Sequence, residues 1–184
     1  MDIQYETIGV CGLGCRLCPN YNRDTKSRCE GCKSSGRMAV GCPFITCAVK
    51  KRGVEFCWQC DEKKTCERWK RHRASGMVHD SFKCYQTLER DIAFIEQYGV
   101  EEFDKTQKLR EKILKEMLDE FNDGRSKSYY CIAAAVMEVD ELKAALDKAG
   151  QIPNTLGIKE KSAALHSALD EIAQRKGYLL KLRR

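Results

Sequence analysis

From residue 86 onwards, apolar residues recur with the 3.6-residue period of an amphipathic α-helix. A first helix carries one apolar face and stops at Gly99; that face consists of Leu88, Ile92, Ile95 and Tyr98. A second helix follows and ends before Gly124; its apolar positions are Phe103, Leu109, Ile113, Leu114, Met117, Leu118 and Phe121. The pattern therefore predicts two amphipathic helices in succession.

The next segment, 129–137, is apolar around its whole circumference, as expected of a helix surrounded by other helices. We predict that it forms the centre of a bundle. Two further helices are predicted around it, one ending at Gly150 and one ending near Gly177; their apolar positions are Leu142 and Leu146, then Leu165, Leu169 and Ile172. We expect the tail, 178–184, to pack back on the bundle.

Residues 1–84 lack this periodicity and carry little core material. Only 19 large apolar residues lie in 2–84, against 32 in 85–184. Short turns and one helix near Phe44, with Cys47 inside it and Gly53 at its end, account for much of this half. A segment of this size with so small a core usually needs a structural metal. The predicted fold is thus mainly α, with a Cys-rich metal-binding domain (1–84) that contains a small irregular zinc-knuckle region and docks on an α-helical bundle (85–184).

Twelve of the 184 residues are cysteines, and eleven of them lie at or before Cys84. No apolar run approaches the ~18 residues of a membrane span, and the first ten residues lack a secretory signal pattern. We therefore expect a cytoplasmic protein without a membrane partner. Reducing conditions there disfavour disulfides, so metal binding is the leading explanation for the cysteines.

The spacing of the cysteines supports that explanation, because three C-x-x-C pairs occur within about 45 residues. A two-residue spacer lets one turn direct two thiolates to one ion. The simplest assignment gives two four-thiolate sites, one of Cys15, Cys18, Cys29 and Cys32 and one of Cys42, Cys47, Cys57 and Cys60. Cys11 and Cys66 complete a pool of ten ligands and could replace members of either site. Closed thiolate sites favour zinc, and we expect two ions.

An iron–sulfur cluster is the alternative cofactor. The run from Cys11 through Cys15 to Cys18 has the C-x3-C-x2-C spacing of cluster-binding enzymes that leave one iron open. Leu17 stands where those enzymes usually have an aromatic residue, and the strand–helix alternation of their barrel is missing. An open metal site with redox or catalytic activity is thus the second hypothesis.

The chain has a net charge of +6, which divides into +7 for 1–84 and −1 for 85–184. A basic stretch includes Lys63, Lys64, Arg68 and Arg71, and on a helix the last three would share one face. This face could track nucleic-acid phosphates, with Trp58 or Trp69 stacking on bases. The simpler interpretation is a solvated helix whose tryptophan covers a metal knuckle, and thiolates would offset part of the charge.

Together these motifs resemble an uncharacterised family. The opening Cys-Gly-Leu-Gly-Cys-Arg-Leu-Cys, followed by the later C-x-x-C pairs, is similar to a Cys-rich domain of unknown function in bacteria and archaea, over roughly residues 8–70. The resemblance implies metal binding by the matching cysteines. It implies no reaction, substrate or partner.

Four other residues have open roles. Cys84, His72 and His79 could join a third site, whereas Cys131 is expected to be a core residue. A Cys131–His166 nucleophile is the catalytic alternative, but no motif for phosphate binding, metalloprotease or serine-hydrolase chemistry occurs. The sequence therefore predicts a zinc-binding, non-enzymatic module that contacts an unknown protein partner.

Overall fold

The computed structural model describes residues 2–81, 83–153 and 155–184. Within these ranges the chain is mainly helical, as predicted. Its α-helices are α1 (Ser35–Val40), α2 (Glu67–Val78), α3 (Leu88–Tyr98), α4 (Val100–Phe121), α5 (Lys127–Val136), α6 (Val139–Gly150) and α7 (Ile158–Lys176). A π-helix (Ile45–Lys51) and two 3₁₀ turns (Cys57–Gln59 and Asp61–Lys64) lie between α1 and α2. In the described ranges no β-strand forms, and Ile8 and Gly14 make an isolated antiparallel bridge.

The second half follows the apolar pattern, except that Tyr98 and Leu109, both assigned to apolar helix faces, are 57% and 42% exposed. Gly99 ends α3 at a φ of 87° and passes the chain directly into α4. Gly177 ends α7 in the left-handed conformation, where its N–H binds the Ala173 carbonyl. Both glycines therefore terminate helices at the positions that the sequence predicts.

Helix α5 is the centre of the main apolar cluster. The side chains of Tyr130, Ala133 and Ala134 are fully buried among α4, α6 and α7. Its C-terminal carbonyls, which have no partner inside the helix, accept hydrogen bonds from arginine side chains: the Ala134 carbonyl from the buried Arg110 at 2.9 Å, and the Ala135 carbonyl from Arg90 at 2.6 Å. The prediction of a central helix is confirmed.

The π-helix fulfils the prediction of a helix near Phe44 that contains Cys47, and it ends just before Gly53, which has a φ of 64°. The basic stretch is less regular than predicted. Lys64 closes a 3₁₀ turn, and α2 begins only at Glu67, since the extended backbone of Cys66 separates the two. The expected common face of Lys64, Arg68 and Arg71 on one helix is therefore wrong.

A second apolar cluster contains residues from both parts of the chain. Ile8, Phe56, Trp58 and Trp69 pack with three side chains of α3 and α4, namely Ile92, Ile95 and Phe103. Arg16 adds ion pairs to α4, at 3.3 Å to Asp104 and 2.6 Å to Glu111.

The tail also returns to the body of the protein, as expected. Leu180 and Leu182 pack against the main cluster. Arg183 binds the Asp80 carboxylate at 2.7 Å and the backbone carbonyls of Gly76, Met77 and Gln86. None of the helices described here is both long enough and apolar enough to cross a membrane.

Candidate metal centre

The first cysteine-bearing loop is folded by its own backbone. The N–H of Cys15 binds the Thr7 carbonyl at 2.8 Å, and the N–H of Cys18 binds the Cys15 carbonyl at 2.9 Å. Gly12 has a φ of 92°, and a β-carbon built there would lie 3.1 Å from the Leu88 side chain and 3.6 Å from that of Trp58. The hydrogen bond between Cys18 and Cys15 closes a tight turn over this C-x-x-C pair.

The Cys29-Glu30-Gly31-Cys32 turn depends on its glycine. Gly31 has a φ of 116°, and a β-carbon there would lie 2.9 Å from the Glu6 carbonyl oxygen. After this turn the Cys32 nitrogen lies 3.3 Å from the Cys15 sulfur, to which it donates a hydrogen bond. Beside the turn, the buried Lys33 ammonium lies 2.5 Å from Glu55 and 3.9 Å from the centre of the Phe56 ring.

Five cysteine side chains form a set that we call the first thiol group: Cys15, Cys18, Cys29, Cys32 and Cys84. The Cys15 thiol donates a hydrogen bond to the Cys32 sulfur, and the Cys84 thiol donates one to the Cys18 sulfur. Cys32 lies within electrostatic range of Cys18, and Cys29 within range of Cys15. These interactions link the four cysteines of the first predicted site and Cys84, and Cys131 also lies within electrostatic range of Cys18. Ligation of one ion by the four cysteines stays a prediction.

These hydrogen bonds separate the acidities of the partners. The hydrogen bond from the Cys84 thiol lowers the pKa of Cys18 to about 6. The hydrogen bond from the Cys15 thiol lowers the pKa of Cys32 to about 7. The donors Cys15 and Cys84 have their pKa raised by the same bonds, with burial adding to the effect. Cys18 and Cys32 are thus the members of this group that lose their protons most readily, and the thiolate is the form of cysteine that binds metals.

The second thiol group consists of Cys11, Cys42, Cys47, Cys57, Cys60 and Cys66. Cys57 lies within electrostatic range of four of the others, and Cys11 lies within range of Cys42 and of Cys32 in the first group. The Ile45 N–H is 3.4 Å from the Cys42 sulfur. Burial raises the pKa of both Cys11 and Cys57 to about 12, so these two are thiols in the absence of an ion.

His72 borders the second group. One of its ring nitrogens donates to the Cys11 backbone carbonyl, and its Nε2 is buried without a hydrogen-bond partner in the described residues. The ring lies 4.9 Å from that of Phe44. A backbone carbonyl commonly orients a metal-binding histidine in this way, leaving the other nitrogen to the ion.

All twelve cysteines have free thiols. In the ranges that the structure describes, no three His, Cys, Asp or Glu side chains are arranged around a point where they could hold an ion. The thiols are thus gathered into two neighbourhoods without forming a coordination sphere. Cys84 follows Cys66 by 18 residues and belongs to no C-x-x-C pair, so no local signal could have linked it to Cys18.

The remaining candidates lie elsewhere. Cys131 is 2% exposed in the main apolar cluster, as expected of a core residue. His166 binds the Ser126 hydroxyl at 2.8 Å and stacks on Tyr129, and no interaction in the described residues joins it to Cys131. His79 is exposed. The catalytic pairing of Cys131 with His166 has no support in this geometry.

The residues of the nucleic-acid hypothesis are partly engaged within the protein. Arg68 donates to the Pro43 carbonyl at 3.1 Å, and Arg71 donates to the Glu67 carbonyl at 3.4 Å. Trp58 and Trp69 are both buried, and Trp58 stacks on Phe56 at 4.3 Å. Neither tryptophan is therefore available to stack on a base.

The fold and the thiol groups define a mainly helical protein with a Cys-rich N-terminal segment. Residues 7–71 match the model of the family described as "Protein of unknown function (DUF3795)". The resemblance to an uncharacterised domain family is thereby confirmed for this segment. No curated protein and no solved structure matches the chain.

Proposed function

We propose that the Cys-rich half binds zinc through its two thiol groups and that the protein is a non-enzymatic interaction module. The observation that carries the proposal is that each of the eleven cysteines between residues 11 and 84 interacts electrostatically with at least one other, although most of them are far apart in the chain. Thiolates are the preferred donors of structural zinc sites, and zinc would cross-link the loops that carry them. The ion thus supplies cohesion and no reaction.

The donor set fits zinc. Thiols and the unpartnered Nε2 of His72 are soft or intermediate ligands, and the N–H groups of Cys32 and Ile45 directed at sulfurs suit thiolates. Since no three donors yet surround a common point among the described residues, ion binding must rotate side chains within each group. Zinc uptake should therefore be accompanied by a local structural change.

We also propose that the Cys-rich domain, with its zinc knuckles, is held on the helical bundle. The apolar cluster shared by Trp58, Trp69 and Phe103 supports this arrangement, as do the ion pairs of Arg16. We propose the cytoplasm as the compartment, because thiols stay reduced there and are able to bind zinc. The bundle would then remain folded when the Cys-rich half loses its ions.

Elemental analysis of freshly purified protein, combined with chelation, tests the proposal. We expect two zinc ions per chain, the loss of about one in Cys32→Ser and in Cys57→Ser, and no loss in the matched control Cys131→Ser. Structural zinc binding is worth about 10 to 16 kcal/mol near neutral pH, so chelation should expose 1–84 to proteolysis while the bundle resists.

Two outcomes would overturn the proposal. If the protein is brown and carries iron and sulfide when purified without oxygen, its cofactor is an iron–sulfur cluster and not zinc. Redox activity would then have to be considered again. An N-terminal half that stays resistant to protease after exhaustive chelation would show that no ion holds it together.

A further inference from the structure

A basic cavity borders the first thiol group, and Cys29 of that group lies in its lining. It has a volume of about 630 Å³ and lies between the loop at 20–30 and helix α1. Its charged lining residues are Arg23, Lys26, Arg28, Arg37 and Lys83, opposed by the carboxylate of Glu30. The cavity therefore concentrates a net charge of about +4.

Four of the five cations of this cavity are not paired with a carboxylate among the described residues of the protein. In the described part of the chain, Arg23, Lys26, Arg28 and Arg37 form no ion pair with a carboxylate, and the Arg28 guanidinium lies 4.8 Å above the Tyr21 ring. By contrast, Arg16, Arg52 and Arg73 each bind a carboxylate. Like charges confined to one concave surface repel each other, and an anionic ligand would remove this cost.

The neighbouring thiolates account for only part of this charge. Arg23 and Arg37 lie within electrostatic range of Cys18 and Cys32. A four-thiolate zinc site has a charge of −2, which would offset about half of the cavity's positive charge. The cavity therefore remains positive whether or not zinc is bound.

Gly36 leaves one wall of the cavity without a side chain. It lines the cavity within α1, its φ is not positive, and a β-carbon built on it would meet nothing within 4 Å. A glycine in a helix is less favourable than an alanine, and neither packing nor backbone conformation requires one here. Its effect is to keep the cavity open beside the cations.

The adjoining cavity limits the size of the ligand. It measures about 450 Å³ and shares Arg23 and Arg28 with the first. Lys115 and Lys127 also line it, together with the carboxylates of Asp24, Glu111 and Asp119, so its net charge is about +1. The positive charge is thus concentrated in the first cavity, which favours a compact polyanion bound there.

We propose that the cavity lined by Arg23, Lys26, Arg28, Arg37 and Gly36 binds a small ligand that carries several phosphate groups. Its volume lies in the range of small-molecule sites, and guanidinium groups bind phosphate oxygens in a bidentate manner. The hydroxyl of Ser27 and the amide of Asn20 also line the cavity and can bind the less charged part of such a ligand.

The test is calorimetric titration of the full chain, as purified, with inorganic tripolyphosphate. We expect saturable binding of one ligand per chain, weakened at least about tenfold in the double variant Arg28→Gln/Arg37→Gln, because each lost bond to a charged group is worth roughly a factor of ten. The matched control Lys50→Gln/Lys112→Gln removes the same charge from exposed sites that line neither cavity, and its affinity should be nearly unchanged. Equal weakening in both double variants would overturn the proposal.

A second variant and a second probe sharpen the result. Gly36→Leu adds one side chain to the wall of the 630 Å³ cavity without touching a charge. It should weaken tripolyphosphate binding without lowering the thermal midpoint, and unchanged affinity would overturn the proposal. A twelve-residue thymidine oligonucleotide should bind more weakly than tripolyphosphate. Tight binding of the oligonucleotide with no binding of tripolyphosphate would instead identify a nucleic-acid surface and reject the small-ligand site.

Discussion

Asp91 in α3 carries a buried negative charge that the fold should tolerate poorly. Its side chain accepts a hydrogen bond from Thr87 at 2.5 Å and lies 3.9 Å from the Arg90 guanidinium, and the residue is 8% exposed. Burial outweighs these interactions and the more distant Arg110, and raises the pKa of Asp91 from 3.8 to about 6. The folded state therefore binds this proton more tightly than the unfolded chain does.

The sign and size of the effect follow from linkage. Between pH about 4 and 6 the folded state holds more protons at this site, so the contribution of Asp91 to stability falls as the pH rises through that interval. A shift of about two pKa units corresponds to about 3 kcal/mol. Asp91→Asn keeps the shape and removes the charge, and we expect it to raise the free energy of unfolding by about 1 to 3 kcal/mol at pH 8.

Urea unfolding of the wild type and of Asp91→Asn at pH 4, 5, 6 and 8, followed by the helical circular dichroism signal, measures this effect. The stability difference should be small at pH 4, grow to pH 6 and then level off. Asp147→Asn, which removes an exposed carboxylate from α6, is the matched control and should show no such growth. A difference that does not vary with pH, or an asparagine variant that is less stable at pH 8, would refute the reasoning.

Three further changes probe the Cys-rich half and the tail. Lys33→Met leaves Glu55 buried without its cation, so it should lower the free energy of unfolding in urea by about 3 to 5 kcal/mol. The double variant Lys33→Met/Glu55→Gln should recover part of that stability. A single variant that is more stable than the wild type would contradict this prediction. Gly31→Ala imposes a positive φ on alanine and a backbone clash, so the N-terminal half should be cleaved faster by protease, and an unchanged rate would count against the turn geometry. Arg183→Gln should lower the free energy of unfolding by about 2 to 3 kcal/mol at pH 7. Arg183 lowers the pKa of Asp80, although burial of the carboxylate acts in the opposite direction. The loss of stability in Arg183→Gln should therefore shrink below pH 3.8, where Asp80 becomes protonated. A loss that stays constant down to pH 2 would argue against the ion pair.

Local signals in the sequence were sufficient for most of the helices. Gly99 and Gly177 end α3 and α7 because glycine accepts the positive φ at a helix end, and the all-apolar segment at 129–137 became the buried α5 because each of its faces meets another helix. The prediction of one helical face for the basic stretch was wrong because the spacing of charged residues does not indicate where a helix starts. Cys66 adopts an extended backbone, and this divides Lys64 from α2.

The sequence by itself determined the chemistry of the Cys-rich half: its thiols, their C-x-x-C turns and its shortage of apolar residues follow from residue type and spacing. Only the tertiary structure decided which thiols are neighbours, because the approach of Cys84 to Cys18 depends on how α2 and α3 pack around Gly76 and Leu88. The same holds for the basic cavity. Its cations come from the loop at 20–30, from α1 and from Lys83, and only folding brings these separate segments around one volume.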